Sequence, residues 1–431
     1  MIDAVNQPSH EPTPYPDDTL GRFWLAGDDP AGALAGHIHV DEGGATVQLE
    51  GSLGGRYGIQ DAVVFGRTPT GERLTLYNAF TTSSRLSAEG ASSSVIESTM
   101  AVYGLHAVDL VARAVAFRLP YCAQWFREDT FVVEWSGDAS TVVRFDDVRE
   151  WTYGLQGGFS LTRRYNAVVP EGNWGSERLV IDRPMSFFLA APGDAAVPFD
   201  VLWEQMRRVQ RFFEFASRNH MPPTHIAIRP DGGGTGQRHV RVFVRFGGTA
   251  RKVASFDDQL PVYPELPADL PLLLMAWGAL FDEAPDVPAR YFAAFDRDGQ
   301  DAELHFLWNA VAVEELHKVR TGDRKRPDFL GRLTETAGRW APLTGQAPPD
   351  DVLRQMKDTR HYHAHGAGDL REKAAKDWVL LRHGYYLETL ATLEMLHRLG
   401  LGTDEVIDVA RRRYWLRGNL ALERFPTGPG S

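Results

Sequence analysis

From Gly21 to about Pro192, apolar and polar residues alternate in short runs rich in Val, Ile, Thr and Phe, punctuated by Gly-Gly, Pro and Asn. Ala45–Leu49, Arg73–Tyr77, Thr130–Trp135 and Arg178–Ile181 are examples. A two-residue period between turn signals predicts an antiparallel β region, a sandwich or an open barrel. The period then changes. Phe199–Asn219 places Leu202, Met206, Val209, Phe212, Phe213 and Ala216 on one helical face, with mostly charged residues between them. Two more strand-like runs, His225–Arg229 and His239–Phe246, flank Gly232-Gly233-Gly234. That stretch lacks the Lys-Ser/Thr ending of a phosphate loop and the spacing of a dinucleotide fingerprint, so it reads as a hairpin loop.

The proline-rich Leu260–Asp269 and Pro285–Pro288 read as connections. Beyond them strand signals vanish, and helices are predicted at Ala289–Arg297, Ala302–Lys318, Asp328–Trp340, Asp350–His365, Leu370–Gly400 and Thr403–Leu416. Several packed helices of this length make a bundle. The predicted fold class is α+β multidomain: a flexible N-terminus (1–20), a β-rich region (21–287) containing the helix near 199–219, an all-α bundle (288–424) and a flexible tail (425–431). A chain of 431 residues is long for one core, which agrees with such a division.

Composition narrows the setting. The single Cys122 cannot form an internal disulfide, so the fold does not depend on an oxidising compartment and a cytoplasmic location is expected. Met1–Asp18 has no basic start, apolar stretch and small-residue cleavage site, and Leu270–Phe281 is far short of the roughly 20 apolar residues that span a bilayer. Neither export nor membrane insertion is expected. The net charge of −11 argues against a nucleic-acid-coating protein while leaving room for an enzyme that grips one RNA locally. Basic residues cluster at Lys318, Arg320, Arg324, Lys325 and Arg326, and at Arg411, Arg412, Arg413 and Arg417. These are solvated helix ends or, in the second cluster, candidates for binding RNA. Trp24, Trp135, Trp151 and Trp174 read as core rather than as a ligand cage.

The candidate chemistry lies in Thr359-Arg360-His361-Tyr362-His363-Ala364-His365-Gly366. The helix begun after Pro348-Pro349 turns Val352, Leu353 and Met356 to the core, and Gly366 suits the left-handed residue that closes a helix. His361 and His365 share a face at four-residue spacing, with Arg360 beside it. The partial negative charge at a helix C-terminus suits a protonated ring, a histidine there can pass protons near neutral pH, and arginine offers a planar fork matched to phosphate. The pair therefore suits breakage of an RNA phosphodiester. Two other readings stand beside this one: structural histidines with satisfied hydrogen bonds, and a metal site on the His361/His365 spacing. The second lacks the Glu of a His-Glu-x-x-His zinc motif, since Tyr362 stands there, and has no obvious third ligand. No metal or other cofactor is expected.

Arg360, four intervening residues and His365, with polar His361 after the arginine, resemble the Arg-x4-6-His signature of HEPN domains. Ala312-Val313-Glu314-Glu315-Leu316-His317-Lys318 resembles the Ala-Leu-Glu-x-x-His-Arg helix of the Apea-like HEPN branch. Gly21-Arg22-Phe23-Trp24-Leu25 and Gly36–Leu53 resemble the start of the ApeA N-terminal domain. The resemblance to ApeA-like anti-phage defence proteins implies a metal-independent endoribonuclease acting on host RNA, tRNA among the candidates, in abortive infection. It also implies a homodimer through the HEPN domain and an N-terminal region that senses a phage-derived trigger. Carried over, His365 is the acid/base, Arg360 the phosphate clamp and His361 an orienting group, with Glu314, His317 and His363 in support. His361 replaces the Asn that often follows the signature arginine. The alternative is a HEPN-type interaction or dimerisation module without turnover.

Overall fold

A computed structural model of the chain describes residues 19–41, 44–86, 92–126, 131–135, 141–145, 150–165, 185–231, 239–245, 259–260, 266, 269–295, 301–323, 325 and 327–420. The predicted strand Arg178–Ile181, the Gly232–Gly234 loop, Trp174, Arg324, Arg326, residues 1–18 and the tail 425–431 lie outside them. The chain divides into two compact units. The first holds residues 1–116, 196–199 and 225–246; the second holds 117–195, 200–224 and 247–431.

The first unit is built on six strands: β1 (Thr19–Leu25), β2 (Leu34–Asp41), β3 (Gly44–Leu49), β4 (Ala62–Arg67), β5 (Arg73–Leu86) and β6 (Ser92–Tyr103). They pair antiparallel in the ring β1-β2-β3-β6-β5-β4, and the β1–β4 pairing closes it. Closure satisfies both edges of every strand in the ring. Alternation turns Phe23, Ile38, Val47, Leu49, Val64, Leu74, Leu76 and Ile96 into one core. Gly36 permits the close β2–β3 approach, since a Cβ there would stand 2.6 Å from the Gln48 carbonyl oxygen. A register shift between Thr81 and Ser83 bends the long β5, as bulges do. Beyond the ring, β7 (Val111–Arg118), β14 (Thr224–Pro230) and β15 (Val240–Val244) follow in the order β7-β14-β15-β6, and the two-residue β13 (Val197–Pro198) pairs with β7.

The second unit contains α1 (Cys122–Phe126), the hairpin β8 (Phe131–Trp135) and β9 (Thr141–Phe145), and the meander β10 (Glu150–Gly154), β11 (Ser160–Tyr165) and β12 (Met185–Ala190). Helices follow: α2 (Phe199–Ser217), α3 (Leu270–Glu283), α4 (Asp286–Phe295), α5 (Ala302–Thr321), α6 (Phe329–Trp340), α7 (Asp350–His365), α8 (Asp377–Arg398), α9 (Thr403–Arg412) and α10 (Tyr414–Leu420). All six apolar positions on the predicted face of α2 are buried. Helix α5 is the axis of the bundle: α4, α6, α7 and α8 all pack on it. No described helix is long and apolar enough to cross a membrane.

The structure departs from the sequence expectation in several places, among them the predicted helix Thr403–Leu416, which breaks at Arg413 between α9 and α10. Pro285–Pro288, read as a connection, runs into α4 from Asp286, and Pro288 sits in the first turn of that helix, where proline costs a helix little. The apolar run Leu270–Phe281 is itself helical, within α3. The predicted helix Leu370–Gly400 begins only at Asp377, because Gly368–Leu370 forms a short 3-10 turn and the Ala375 N–H donates to Thr359 Oγ1, 2.8 Å away, instead of to a helical carbonyl.

Candidate active site

Helix α7 begins with Asp350 and Asp351, whose charge suits the positive helix start. It buries Leu353, Met356 and Thr359. Gly366 ends it at φ 63° and ψ 30°, with its N–H donating to the Tyr362 carbonyl at 2.9 Å. Only glycine takes that conformation cheaply. The stop leaves Arg360 to His365 as the last turn and a half.

Arg360 turns toward the neighbouring helices. Its Nη2 donates to Glu314 Oε2 at 2.7 Å, and its guanidinium lies 5.0 Å from the centre of the Phe329 ring. The same carboxylate takes Arg332 Nη1 at 2.8 Å and stands 3.1 Å from Lys318 Nζ. Three cations thus face Glu314, which joins α5, α6 and α7; Lys318 also reaches Glu315 Oε1 at 2.5 Å. The Arg360 Nε is buried without a hydrogen-bond partner among the described residues.

The histidines divide by environment. The His361 and His365 rings are 5.7 Å apart at 62°, on one face as their spacing predicts, with His365 exposed and His361 half-buried. His363 Nδ1 lies 3.2 Å from Glu303 Oε2 in the first turn of α5. His317 is fully buried and its Nε2 meets Glu335 Oε2 at 2.7 Å, which makes it a packing residue of the α5–α6 contact. Among the described residues, no group of three or more His, Cys, Asp or Glu is placed to hold a metal ion.

In the second basic cluster Arg411, Arg412 and Arg417 are exposed, and Arg412 pairs with Asp408. Arg413 is buried in the break between α9 and α10, which removes it from an exposed RNA-binding stripe. Lys318 and Arg320 face acids, the latter Glu394 at 3.5 Å. Of the tryptophans, Trp24 is core, edge-on to Phe65 and His106. The guanidinium of buried Arg163 lies between Trp151 (3.9 Å) and Phe126 (4.0 Å), with its Nε donating to Tyr153 Oη at 2.7 Å, so this cage holds an internal cation. The side chain of Trp135 lies outside the described residues.

The sequence reading missed a buried charge centre on α8. Glu388 accepts from Arg218 Nη2 at 2.8 Å, its other oxygen is 3.0 Å from His305 Nε2, and Arg218 stacks 3.6 Å over Trp415. Burial acts to raise the carboxyl, but the Arg218 charge and the His305 hydrogen bond prevail and hold its pKa at about 2. Burial, with Arg382 nearby, pushes His383 down to about 4. Further along α8, buried Glu394 accepts from Trp340 Nε1 at 2.9 Å. The readable signal was two glutamates inside the run Leu387–Leu396, whose other residues are apolar or threonine; their partners are too far away in sequence to be paired by inspection.

No curated protein and no solved structure matches the chain. Residues 18–155 match the family described as ApeA N-terminal domain 1, a span that contains the whole six-stranded ring. Over that part the chain is similar to ApeA N-terminal domains, and the match supports an ApeA-like protein.

Proposed function

We propose that the chain is a metal-independent endoribonuclease of the HEPN type. The observation that carries this reading is the exposed His365, paired with His361, at the Gly366-capped end of the helix that also presents Arg360. The RNA 2'-hydroxyl attacks the adjacent phosphorus, the bond to the 5'-oxygen breaks, and a cyclic phosphate end remains. His365 moves the proton between these oxygens and His361 orients it. Arg360 meets the phosphate with donors that Glu314 leaves open, since a guanidinium has five N–H groups and one engages Glu314. Glu314 fixes the arginine; His363, tied to Glu303, steadies the last turn. The need for a 2'-hydroxyl excludes DNA.

The wider reading follows the resemblance: two HEPN domains pair, the β-rich region senses a phage-derived trigger, and cleavage of host RNA, including tRNA, arrests growth. Expression in a bacterial host tests it. The wild type should arrest growth, while Arg360→Ala and His365→Ala should not, with unchanged helical content; equal toxicity of all three overturns the proposal. One observation favours a second reading, a bundle that binds without turnover: the ion pair commits Arg360 partly to holding α5 and α7 together. Under that reading both variants leave RNA untouched, as does the wild type.

A further inference from the structure

The rings of His361 and His365 face each other one helical turn apart, with centres 5.7 Å apart at 62°. His365 is exposed and His361 half-buried, so solvent reaches the pair. Among the described residues, acids hold the other histidines of this end of the bundle: Glu303 holds His363, Glu335 holds His317 and Glu388 holds His305. No acid holds His361 or His365. The neighbouring cation, Arg360, is turned away to Glu314.

Two imidazoles so placed can share one metal ion. Zinc bonds an imidazole nitrogen at about 2.0 to 2.1 Å in tetrahedral geometry, and the nitrogen is roughly 1 Å from the ring centre, so two rings on one zinc have centres about 5 Å apart. A small side-chain rotation closes the observed 5.7 Å to that value. Two histidines four residues apart on one helical face are also the pair that binds zinc in a His-Glu-x-x-His helix. The partial negative charge at the C-terminus of α7 favours a cation there. Asp358, three residues before His361 and seven before His365, adds a negative charge on the same face. Among the described residues no third donor joins the pair, so water fills the other positions and the ion can exchange, unlike one in a closed four-ligand site. Nitrogen donors select zinc, copper or nickel; magnesium and calcium take oxygens.

We infer that His361 and His365 form a two-point chelate for zinc, and that zinc bound there is a reversible inhibitor of the site, not a cofactor. The chelate stands on the geometry of the two rings alone; the inhibition rests on the ribonuclease reading. Each ring gives the lone pair of its unprotonated nitrogen, and the hydrated ion releases two waters in exchange. The lone pair with which His365 would accept the 2'-hydroxyl proton is then occupied, and the ring that orients it is bound to the same ion. Metal-independent cleavage and inhibition by metal thus follow from one pair of side chains.

The test is titration of zinc chloride into the full chain, purified without a histidine tag, against a competing zinc indicator dye. The wild type is compared with His361→Ala, His365→Ala, His365→Cys and His37→Ala, the last an exposed histidine of the first unit. The wild type should take up a single equivalent that either alanine variant weakens at least about tenfold, as expected when a two-point chelate becomes a single contact. His365→Cys should keep that equivalent, because a thiolate also ligates zinc, and His37→Ala should bind as the wild type does. Millimolar magnesium should not displace the ion. Zinc that fills the site should stop cleavage of bacterial RNA by the wild type, and chelator should restore it. Equal zinc affinity of the wild type and both alanine variants, or displacement by magnesium, overturns the site. Should His361→Ala not fold, His365→Ala, at an exposed position, carries the same expectation. A filled site with cleavage unchanged overturns the inhibition. Zinc uptake that depends on both histidines, with no cleavage by the wild type in chelator, supports the chelate and sinks the ribonuclease reading alone.

Discussion

Replacing Glu388 by Gln removes one charge from the middle of the helical unit while keeping the side chain's shape. In the native chain the carboxylate is 9% exposed, between Arg218 and His305. Its pKa falls from 4.5 to about 2 although burial alone acts in the opposite direction. A carboxyl depressed by folding stabilises the native state at pH above its unfolded value, and that contribution is lost as pH falls from about 4.5 through about 2. At about 1.36 kcal/mol per pH unit, the contribution is on the order of 3 kcal/mol at neutral pH. Breaking a buried pair by removing one partner costs about 3 to 5 kcal/mol, because the other charge is left stranded. Glu388→Gln should therefore lower stability by about 3 to 5 kcal/mol at pH 7, read as an earlier urea midpoint in helical ellipticity. The gap to wild type should narrow as pH drops from 5 toward 2. Equal midpoints at pH 7, or a gap that stays constant down to pH 2.5, would refute the account of Glu388 as a charge held in place by Arg218 and His305.

Other perturbations probe the candidate site and its support. Gly366→Ala forces a Cβ into φ 63°, at a cost of about 1 to 2 kcal/mol, and should fray the turn that carries His363 and His365; hydrogen exchange of those amides reports it. Glu314→Gln should release Arg360, Arg332 and Lys318 from their shared acid, cutting RNA cleavage severalfold and lowering the urea midpoint; unchanged cleavage contradicts the positioning role. His383 has a folded pKa of about 4 against 6.5, so native stability should fall as pH drops from about 6.5 toward 4, as protonation comes to favour the unfolded chain. His383→Phe should flatten that part of the acid profile.

What could be read from the sequence followed from periodicity. The alternation in Ala45–Leu49 and Arg73–Tyr77 marks β3 and the start of β5, and the face of α2 is buried as spaced. Asp350–His365 is a helix over that range because its core stripe, acidic start and terminal glycine all agree. Ring closure was not legible, since it depends on β1 pairing with β4 across two intervening strands. Helix α3 was lost because Leu272 and Met275 are exposed, so its apolar residues run around the cylinder and blur the period. The start of α8 was placed too early because the propensity of Arg-Glu-Lys-Ala-Ala favours a helix, while the Thr359 hydroxyl takes the Ala375 N–H. In the site, the i, i+4 histidine pair was visible, but the inward turn of Arg360 was not: its acid lies 46 residues away and is shared with an arginine on a third helix.

The most direct test of the ribonuclease reading is incubation of the purified full-length protein with total bacterial RNA in the presence of chelator, beside His365→Ala, with mapping of the RNA ends. The account predicts discrete cuts ending in cyclic phosphates from the wild type and none from the variant. Identical end patterns from the two proteins, or cutting that chelator abolishes, would contradict it.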